Sequence, residues 1–508
     1  MVNSPYPSQI GDSFPTKIAG LVLTVLLFAA VLRFVNLNSL PIFADESIYV
    51  RWSQVMRAEP SLRFLPLSDG KQPLFMWAAI PFFKIISDPL IAARSLSALA
   101  GLGTIAGIAL AAHLLFNNRR ITLLAGLLSS VLPYLVFFDR LALADSLLSM
   151  FIIWTFVFMY LAFVHQRLDM AMLAGFTLGF AWLTKSPALF ALILLPTLFI
   201  FTSRKNLLAS CGLWLVTCAI AIAMYNILRL GPEFHMIAIR NKDYVYSISE
   251  ILRHPLDPLI PHLKDSLNFN FYLLTPVGLL FALWGLIDGH RSHWRQRLIL
   301  ASFFLIPIIA QSAIAKAFTA RYLLFTIPFA VISIAHAIEH ISQKSQKLFL
   351  IYAASGLVLL PSLFIDYKLI SSPQDAPLPH IERSGYLEEW TAGQGLREVS
   401  DYLRRASASG PVLVGSEGFF GTPFSALQLY LNDVPNVRII GVGVWIDSVN
   451  EKLTNSLADN QVFLIINSTR FHVDDPAKIG LDLIASYPKA IRPDTTREYL
   501  LFFKVTQR

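Results

Sequence analysis

Two adjacent carboxylates, Asp45 and Glu46, follow the first long apolar segment of the chain, residues 18–37. This segment is long enough to cross a bilayer, so the two acids are predicted to lie where hydrocarbon meets water. A carboxylate at that boundary can do chemistry on a substrate that a lipid carries. The simpler alternative is that Asp45 caps the helix predicted to follow it, a role that aspartate often fills.

Other ionisable residues flank later apolar runs, and the predicted topology brings them to the same membrane face. A charge near hydrocarbon costs about 2 to 3 kcal/mol in insertion measurements, so several charges on one face indicate a function. Basic side chains there can neutralise an anionic ligand, for which a phosphate is the natural candidate. The structural alternatives are lysines that snorkel from helix ends and an ion pair of Arg140 with Asp145 that caps a helix. The set comprises Lys71, Arg140, Asp145, Lys185, Lys316 and Arg321.

The composition predicts a polytopic membrane protein that is mostly α-helical. Of the 508 residues, 55% are hydrophobic and only 15% are charged, and the mean hydropathy is +0.57. Basic residues outnumber acidic ones by 41 to 33; in a membrane protein this excess fixes orientation, and it does not indicate nucleic acid. Cys211 and Cys218 lie in one apolar segment as small hydrophobes, and they imply neither a disulfide nor a metal site.

Apolar runs of spanning length recur and predict about 11 transmembrane helices. Residues 1–16 form a polar tail, and the first run is predicted to be an uncleaved signal anchor. A cytoplasmic amino terminus places the short Arg- and Lys-rich loops in the cytoplasm, as the positive-inside rule favours. The runs lie at 18–37, 90–116, 121–138, 143–164, 170–185, 187–203, 207–230, 268–288, 298–315, 321–340 and 347–366.

Residues 170–203 form either one kinked helix or two short spans, because Lys185, Ser186 and Pro187 interrupt the apolar run. Two spans are predicted, since a single helix would move the basic pair Arg204 and Lys205 to the outer side. The transmembrane domain is then predicted over residues 17–366, with outer loops at 38–89 and 231–267. The chain is expected in the plasma (cytoplasmic) membrane.

The last segment, residues 367–508, predicts a soluble α/β domain on the extracytoplasmic face. Prolines mark a linker at its start, and helix-like and strand-like stretches then alternate. Helices are predicted at 395–405, 448–458 and 477–486, and strands at 411–415, 437–441, 462–466 and 499–503.

Several familiar site types are absent from the sequence. There is no P-loop, no GxGxxG after a strand and no Ser-His-Asp arrangement, so a soluble nucleotide is not the expected ligand. The histidines on the predicted outer side lack metal-like spacing, so no cofactor is predicted and a divalent metal is unsupported. These histidines are His235, His254, His262, His380 and His472.

Five short motifs, in this order and on one predicted face, resemble a known superfamily of membrane enzymes. The resemblance is to the dolichyl-phosphate-mannose protein mannosyltransferases and aminoarabinose lipid A transferases, membrane glycosyltransferases of the type C fold, and it covers roughly residues 15–345. The carboxyl-terminal domain lies outside it. The motifs are Asp45-Glu46, Lys71-Gln-Pro-Leu74, Arg140 to Asp145 with Ser-Leu-Leu, Leu183-Thr-Lys185-Ser-Pro187 and Arg321-Tyr-Leu-Leu.

The resemblance implies transfer of a sugar from a polyprenyl phosphate, with inversion, to an acceptor on the outer side of the membrane. Asp45 then matches the general base that takes the acceptor proton, and Glu46 supports or orients it. Basic residues are expected to stabilise the charge that develops on the departing phosphate. These residues are Lys71, Lys185, Lys316 and Arg321.

Two residues beside Lys71 differ from the pattern of the superfamily. Gln72 replaces a proline common after the lysine, and Gly70 replaces an acidic metal-site residue, so a metal is not expected. The loop 231–267, which contains Arg240 and Tyr244, is expected to cover the cavity and to order when lipid binds.

Two other functions remain alternatives. A transporter or flippase of lipid-linked sugars would need polar residues at mid-membrane and symmetric halves, and neither is evident in the sequence. A scaffold that keeps the fold without catalysis is disfavoured by the retention of Asp45, Lys71 and Lys185. The sugar and the acceptor, whether protein, lipid or cell-surface glycan, are not specified.

Overall fold

The computed structural model describes residues 16–287, 293–347 and 349–507. The predicted cytoplasmic tail, residues 1–16, lies almost wholly outside these ranges. Most of the described chain is helical. The helices are α1 Thr16–Phe34, α2 Ala44–Ala58, α3 Leu74–Ala79, α4 Pro89–Phe116, α5 Arg119–Val131, α6 Pro133–Asp139, α7 Ala144–His165, α8 Leu168–Thr184, α9 Ala188–Leu194, α10 Leu207–Tyr225, α11 Met236–Tyr244, α12 Ile248–Arg253, α13 Leu259–Leu273, α14 Pro276–Ile287, α15 Trp294–Ile314, α16 Ile327–Ser345, α17 Phe349–Ser371, α18 His380–Arg383, α19 Leu396–Ala406, α20 Phe424–Tyr430 and α21 Glu451–Thr454.

Within the described ranges, 6 helices are long and apolar enough to cross a membrane, or up to 8 if each of two bent helix pairs is one span. Shorter apolar helices include Leu23–Phe34, Leu168–Thr184 and Ala188–Phe201. The chain is therefore a multi-pass helical membrane protein, as its composition predicts, while the expected number of 11 spans is not confirmed by this count.

Prolines account for the two bent pairs. α5 and α6 meet at 52° just before Pro133, and α13 and α14 meet at 114° just before Pro276. Proline lacks an N–H group and disfavours helical backbone at the residue before it. Leu132 is accordingly extended, and Thr275 has a φ of 67°. The apolar run predicted as a span at 268–288 is therefore divided between two helices that meet at a sharp turn.

The break predicted within residues 170–203 is present. α8 ends at Thr184, Lys185 is extended with φ −164° and ψ 146°, and α9 begins at Ala188. A 3-10 segment, Leu195–Phe201, continues α9. Two helical segments therefore replace the single kinked helix that was the alternative.

Strands in the described part of the carboxyl-terminal region form one five-stranded sheet of order β2-β1-β3-β5-β4. β1 pairs in parallel with β2 and β3, whereas β5 runs antiparallel to β3 and β4. All four predicted strands are found. The strands are β1 Val412–Glu417, β2 Val437–Gly443, β3 Gln461–Asn467, β4 Leu481–Ile491 and β5 Arg497–Val505.

Two of the three predicted helices in this region need correction. Residues 477–486, predicted as a helix, mostly belong to the edge strand β4, which pairs with β5 from Leu481 to Ile491. Pro488 lies within β4, and an edge strand tolerates proline because one side of its backbone needs no ladder partner. The helix predicted at 448–458 shortens to α21, while the one at 395–405 is confirmed as α19.

Helix α2 lies between the helical bundle and the carboxyl-terminal region. The amide of Ala44 donates to the carbonyl of Thr391 at 3.0 Å, and the amide of Gly393 donates to the carbonyl of Ile42 at 2.9 Å. On the next turns of α2, the Trp52 ring lies 5.8 Å from the Phe420 ring. The start of α2, which carries Asp45, is thus held by both parts of the molecule.

One close helix contact gives a stability prediction. A Cβ at Gly285 of α14 would lie 2.3 Å from the carbonyl oxygen of Ser333 in α16, whereas a Cβ at Gly356 would meet nothing within 4 Å. Overpacking of this kind costs about 1 to 3 kcal/mol, while alanine favours a helix over glycine by up to about 1 kcal/mol. Gly285→Ala should lower the unfolding temperature in detergent, and Gly356→Ala should leave it unchanged or raise it. Equal effects of the two variants would contradict this packing.

Candidate active site

The start of α2 depends on Glu46 rather than on Asp45. The Glu46 carboxylate is fully buried and accepts hydrogen bonds from the Phe43 amide at 2.9 Å and the Ala142 amide at 2.6 Å. Arg94 of α4 donates to it through Nε at 2.8 Å and Nη2 at 2.7 Å. Four donors thus occupy its two oxygens. These contacts hold the first turn of α2, which carries Asp45, and the expected role of Glu46 in supporting or orienting the catalytic Asp45 stays a prediction.

Arg140 also has a structural role. It is fully buried and donates to the carbonyls of Leu32 and Val35 at 2.8 Å each and of Asn36 at 2.7 Å. The last carbonyls of a helix have no partner within the helix, so Arg140 caps the end of α1. The predicted alternative of an Arg140–Asp145 pair is replaced by a different pairing, since Asp145 contacts Lys185.

Asp45 forms an ion pair with Arg321. Arg321 Nη2 lies 2.6 Å from Asp45 Oδ2, and the two side chains are 10% and 20% exposed. Burial raises the pKa of Asp45, but the positive charges of Arg321, Lys71 and Lys185 outweigh burial and lower that pKa to about 2. Asp45 is therefore ionised at neutral pH and is surrounded by cations.

A second ion pair lies beside the first. Lys185 Nζ lies 2.5 Å from Asp145 Oδ1 and 4.4 Å from the centre of the Tyr322 ring. Tyr322 also lies against Arg321, with the guanidinium 5.3 Å from the ring. The Tyr322 ring therefore joins the two pairs, and the break between α8 and α9 is what brings Lys185 to this point.

Lys71 completes the group of cations. Its ammonium lies 3.3 Å from Asp69 and 5.7 Å from the Tyr49 ring, one turn beyond Asp45 on α2. Gly70 precedes it with a φ of 68°, a left-handed conformation that glycine adopts without strain. Gln72 Nε2 donates to Ser186 Oγ at 2.7 Å. The Gln72 side chain thereby ties the Lys71 turn to the Lys185 turn.

The loop 231–267 contacts the Lys71 turn. Arg240 Nη2 lies 2.8 Å from Asp69 Oδ1, and the Tyr244 ring lies 5.9 Å from Lys71 Nζ. These contacts agree with a loop that covers the site.

Lys316, which was expected among the phosphate-binding residues, contacts the covering loop. Its ammonium donates to the carbonyl of Lys242 at 2.8 Å and lies 5.4 Å from the Tyr246 ring. Its amide donates to the carbonyl of Tyr244 at 2.8 Å. Lys316 therefore fastens the covering loop to the end of α15, and its expected contact with the donor phosphate stays a prediction.

Sequence reasoning missed a carboxyl-terminal contribution to the site. The amide of Ala320 donates to Glu382 Oε1 at 2.6 Å, and the Tyr134 hydroxyl donates to the Ala320 carbonyl at 2.8 Å. The Tyr386 ring lies 4.3 Å from the Phe43 ring. These contacts fix the backbone that carries Arg321. No local pattern marks Glu382 as a contributor to the site. Tyr49 could have been predicted, because it follows Asp45 by four residues on a helix and so lies on the same face.

Among the described residues, no group of three or more His, Cys, Asp and Glu side chains is arranged to hold a metal ion. The expectation that the chain needs no cofactor was not tested and stays a prediction.

Comparisons with known proteins bear on this geometry. A family model described as dolichyl-phosphate-mannose-protein mannosyltransferase matches residues 70–228. This range contains Lys71, Arg140, Asp145 and Lys185, and it begins after Asp45. No curated protein matches the chain in sequence.

Solved structures match nearly the whole chain. The crystal structure of ArnT from Cupriavidus metallidurans in the apo state matches with a TM-score of 0.60 and 14% identity, over 96% of this chain and 98% of that one. The same protein bound to undecaprenyl phosphate matches with a TM-score of 0.61 and 16% identity, over 95% of this chain and 98% of that one. The chain has the type C membrane glycosyltransferase fold. A third match is the archaeal oligosaccharyltransferase AglB from Archaeoglobus fulgidus, in complex with an inhibitory peptide and a dolichol-phosphate. Its TM-score is 0.50 and its identity is 11%, over 96% of this chain and 74% of that one.

The type C fold therefore extends beyond the transmembrane helices. The matches to ArnT cover 95% or more of this chain, so they include most of the carboxyl-terminal region. The prediction that this region lies outside the resemblance is wrong at the level of fold.

The buried pair of Glu46 and Arg94 gives a second stability prediction. Removing one partner of a buried ion pair costs about 3 to 5 kcal/mol, because the other charge is left uncompensated. Glu46→Gln should lower the unfolding temperature, and adding Arg94→Met should restore part of the loss. Glu451→Gln, in the first turn of the exposed α21, is the control and should change little. An unchanged unfolding temperature in Glu46→Gln would argue against this positioning role.

Glu382 gives a prediction of pH dependence. Burial raises its pKa to about 7, although the Ala320 amide and Arg321 oppose the rise and Asp145 adds to it. The folded protein then holds a proton that the unfolded chain releases near pH ~4.3, so this group lowers stability as pH rises from ~4.3 to about 7. Glu382→Gln should therefore gain stability over the wild type as pH rises from 5 to 8, measured by thermal unfolding. Parallel curves for the two proteins would contradict this.

Proposed function

We propose that the chain transfers a sugar from a polyprenyl-phosphate donor to an acceptor hydroxyl on the outer face of the membrane, with inversion and with Asp45 as general base. The observation that carries this proposal is an ionised carboxylate among three cations at the end of an apolar helical bundle. The family model and the type C fold support it. ArnT bound to undecaprenyl phosphate and AglB bound to dolichol-phosphate are proteins of this fold with polyprenyl phosphate ligands.

The cations suit the departing group. As the bond between the sugar and the phosphate breaks, negative charge grows on the phosphate, and fixed cations in a poorly hydrated site stabilise that charge more than water does. Lys71, Lys185 and Arg321 are the groups proposed to do this. The acceptor oxygen attacks the sugar carbon from the opposite face, its proton passes to Asp45, and polyprenyl phosphate leaves.

Binding of the donor is proposed to activate Asp45. A carboxylate with a pKa of about 2 is a weak base, because a general base works best with a pKa near the working pH. A donor phosphate that takes contacts from Arg321 and Lys71 adds negative charge beside Asp45 and raises its pKa. The donor should then bind before the acceptor is deprotonated.

The orientation is proposed from the distribution of basic residues. Helix ends and turns at the bundle end opposite to Asp45 carry Arg119, Arg167, Arg204 and Lys344, which the positive-inside rule places in the cytoplasm. The site, the covering loop and the carboxyl-terminal region then face the outside, in a plasma membrane with the amino terminus inside.

The direct test is sugar transfer by the purified protein from a panel of polyprenyl-phosphate sugars. Asp45→Asn should lower kcat by about two orders of magnitude or more at matched folding, because removal of a general base costs about 10²- to 10⁴-fold. Asp459→Asn, an exposed acid of the carboxyl-terminal region, is the matched control. Equal turnover by wild type and Asp45→Asn would show that Asp45 has no catalytic role and serves only as a residue of its helix. Failure of the wild type with every donor would direct attention to flipping of lipid-linked sugars in vesicles.

The contribution of each cation to kcat can be measured by substitution. Lys71→Met and Lys185→Met should each lower kcat by about 10²-fold, the scale seen when one group that stabilises transition-state charge is removed. Lys71→Arg should recover part of the loss. Lys316→Met serves as the comparison, since Lys316 contacts the covering loop, and its effect should be several-fold at most. A Lys316 variant as impaired as the Lys71 variant would place Lys316 back among the phosphate ligands.

A further inference from the structure

The strand order of the carboxyl-terminal sheet indicates a crevice at the carboxyl ends of its parallel strands. From β1, the middle one of the three parallel strands, the chain passes through α20 to β2 on one side, and then through α21 to β3 on the other side. Such a reversal opens a crevice between β1 and β3, and α/β sheets commonly bind ligands there. Glu417 ends β1 and Asn467 ends β3, so these two residues lie at this point.

The floor of the crevice is polar and buried. Glu417 is fully buried and accepts from the Asn467 amide at 2.7 Å and from Asn467 Nδ2 at 2.6 Å. Arg470 lies 3.4 Å from Glu417 Oε1 and 4.0 Å above the Trp390 ring. Within the described residues, Asn467 Oδ1 is buried without a hydrogen-bond partner. A buried amide oxygen left without a donor costs free energy, and a ligand hydroxyl would satisfy it.

The rim of the crevice is aromatic and exposed. Phe419 and Trp445, which follow β1 and β2, are each 63% exposed, and Phe420 is 47% exposed. Trp445 stacks on His472, with the ring centres 5.3 Å apart and the planes at 17°. The backbone pairing of Ile446 with Phe471 holds these two segments together. Large aromatic side chains exposed as a patch on a rigid frame mark a binding surface.

This rim is continuous with the helix that carries the acid. The Phe420 ring lies 5.8 Å from the Trp52 ring, and Trp52 lies 6.2 Å from Tyr49. A Cβ at Gly421 would lie 3.7 Å from the Cβ of Ala44, the neighbour of Asp45. A molecule bound on the rim would therefore be held close to α2 and to the acid at its start.

We propose that this crevice is a subsite for a carbohydrate acceptor, whose sugar rings stack on Phe419, Phe420 and Trp445 and whose hydroxyl groups bind Asn467 and Arg470. A pyranose ring has one face of C–H groups and an edge of hydroxyls, so it needs an aromatic face beside polar groups. The assignment rests on the proposed transfer and selects a glycan from the acceptor classes left open above. Acidic residues next to the rim, Asp447 and Asp474, would repel an anionic lipid headgroup.

The test uses the full chain in lipid nanodiscs without any donor. Binding to an immobilised panel of oligosaccharides ending in hexose, pentose or hexosamine residues is measured for the wild type and for Trp445→Ala and Phe419→Ala. The wild type should retain at least one class of glycan, and each variant should bind it about tenfold more weakly, through loss of an aromatic contact. Leu483→Ala is the control, since Leu483 is 56% exposed on the edge strand β4. Unchanged binding in both aromatic variants would overturn the assignment.

Two further readouts separate the alternatives. Quenching by brominated phospholipids, compared between the wild type and Trp445→Phe, reports whether Trp445 lies in the bilayer; quenching of Trp445 would overturn the proposal in favour of a membrane anchor. Asp45→Asn should bind glycans as the wild type does. If sugar transfer depends on Asp45 but the acceptor is a peptide or a lipid, and no glycan binds, the glycan subsite is contradicted and the proposed transfer is not. If glycan binding depends on Trp445 but no donor supports sugar transfer, the proposed activity is contradicted and the glycan subsite is supported.

Discussion

A charge next to hydrocarbon is costly unless an opposite charge or several dipoles compensate it. Two groups of compensated charges lie at the Asp45 end of this bundle. Arg33 with Asp139 and Arg94 with Glu46 are closed pairs with almost no exposure; the first fastens α1 to α6, and the second fastens α2 to α4. The pairs of Asp45 with Arg321 and of Lys185 with Asp145 are partly open to solvent. The first group holds the frame, and the second group can exchange partners with a ligand.

This division explains why two adjacent acids have different roles. Asp45 and Glu46 point to different sides of one helical turn, because successive residues of a helix do not share a face. Glu46 faces the bundle, where Arg94 and two amides take its oxygens. Asp45 faces Arg321 and the cations around it. A partly exposed ion-paired acid therefore lies beside an acid whose two oxygens are both fully used.

The carboxyl-terminal region belongs to the same construction. It supplies Glu382 to the peptide before Arg321 and Thr391 to the start of α2, and its loop after β1 packs on Trp52. The sheet thereby sets the position of α2 as much as the bundle does. Under the proposed function, an acceptor held by the sheet would have a short path to a donor held by the membrane helices.

The sequence by itself determined the elements whose cause is local. Apolar runs, the break around Lys185 and the four β-rich strands follow from hydropathy, from proline chemistry and from side-chain pattern. It also singled out Asp45, Lys71, Lys185 and Arg321, because charges beside apolar runs are conspicuous. Only the tertiary structure decided the partners: that Asp145 pairs with Lys185 and not with Arg140, that Lys316 holds a loop, that residues 481–491 form an edge strand, and that Glu382 reaches Ala320. The three side-chain contacts join segments far apart in the chain, whose approach is fixed by packing and not by local sequence, and the edge strand depends on its pairing with β5.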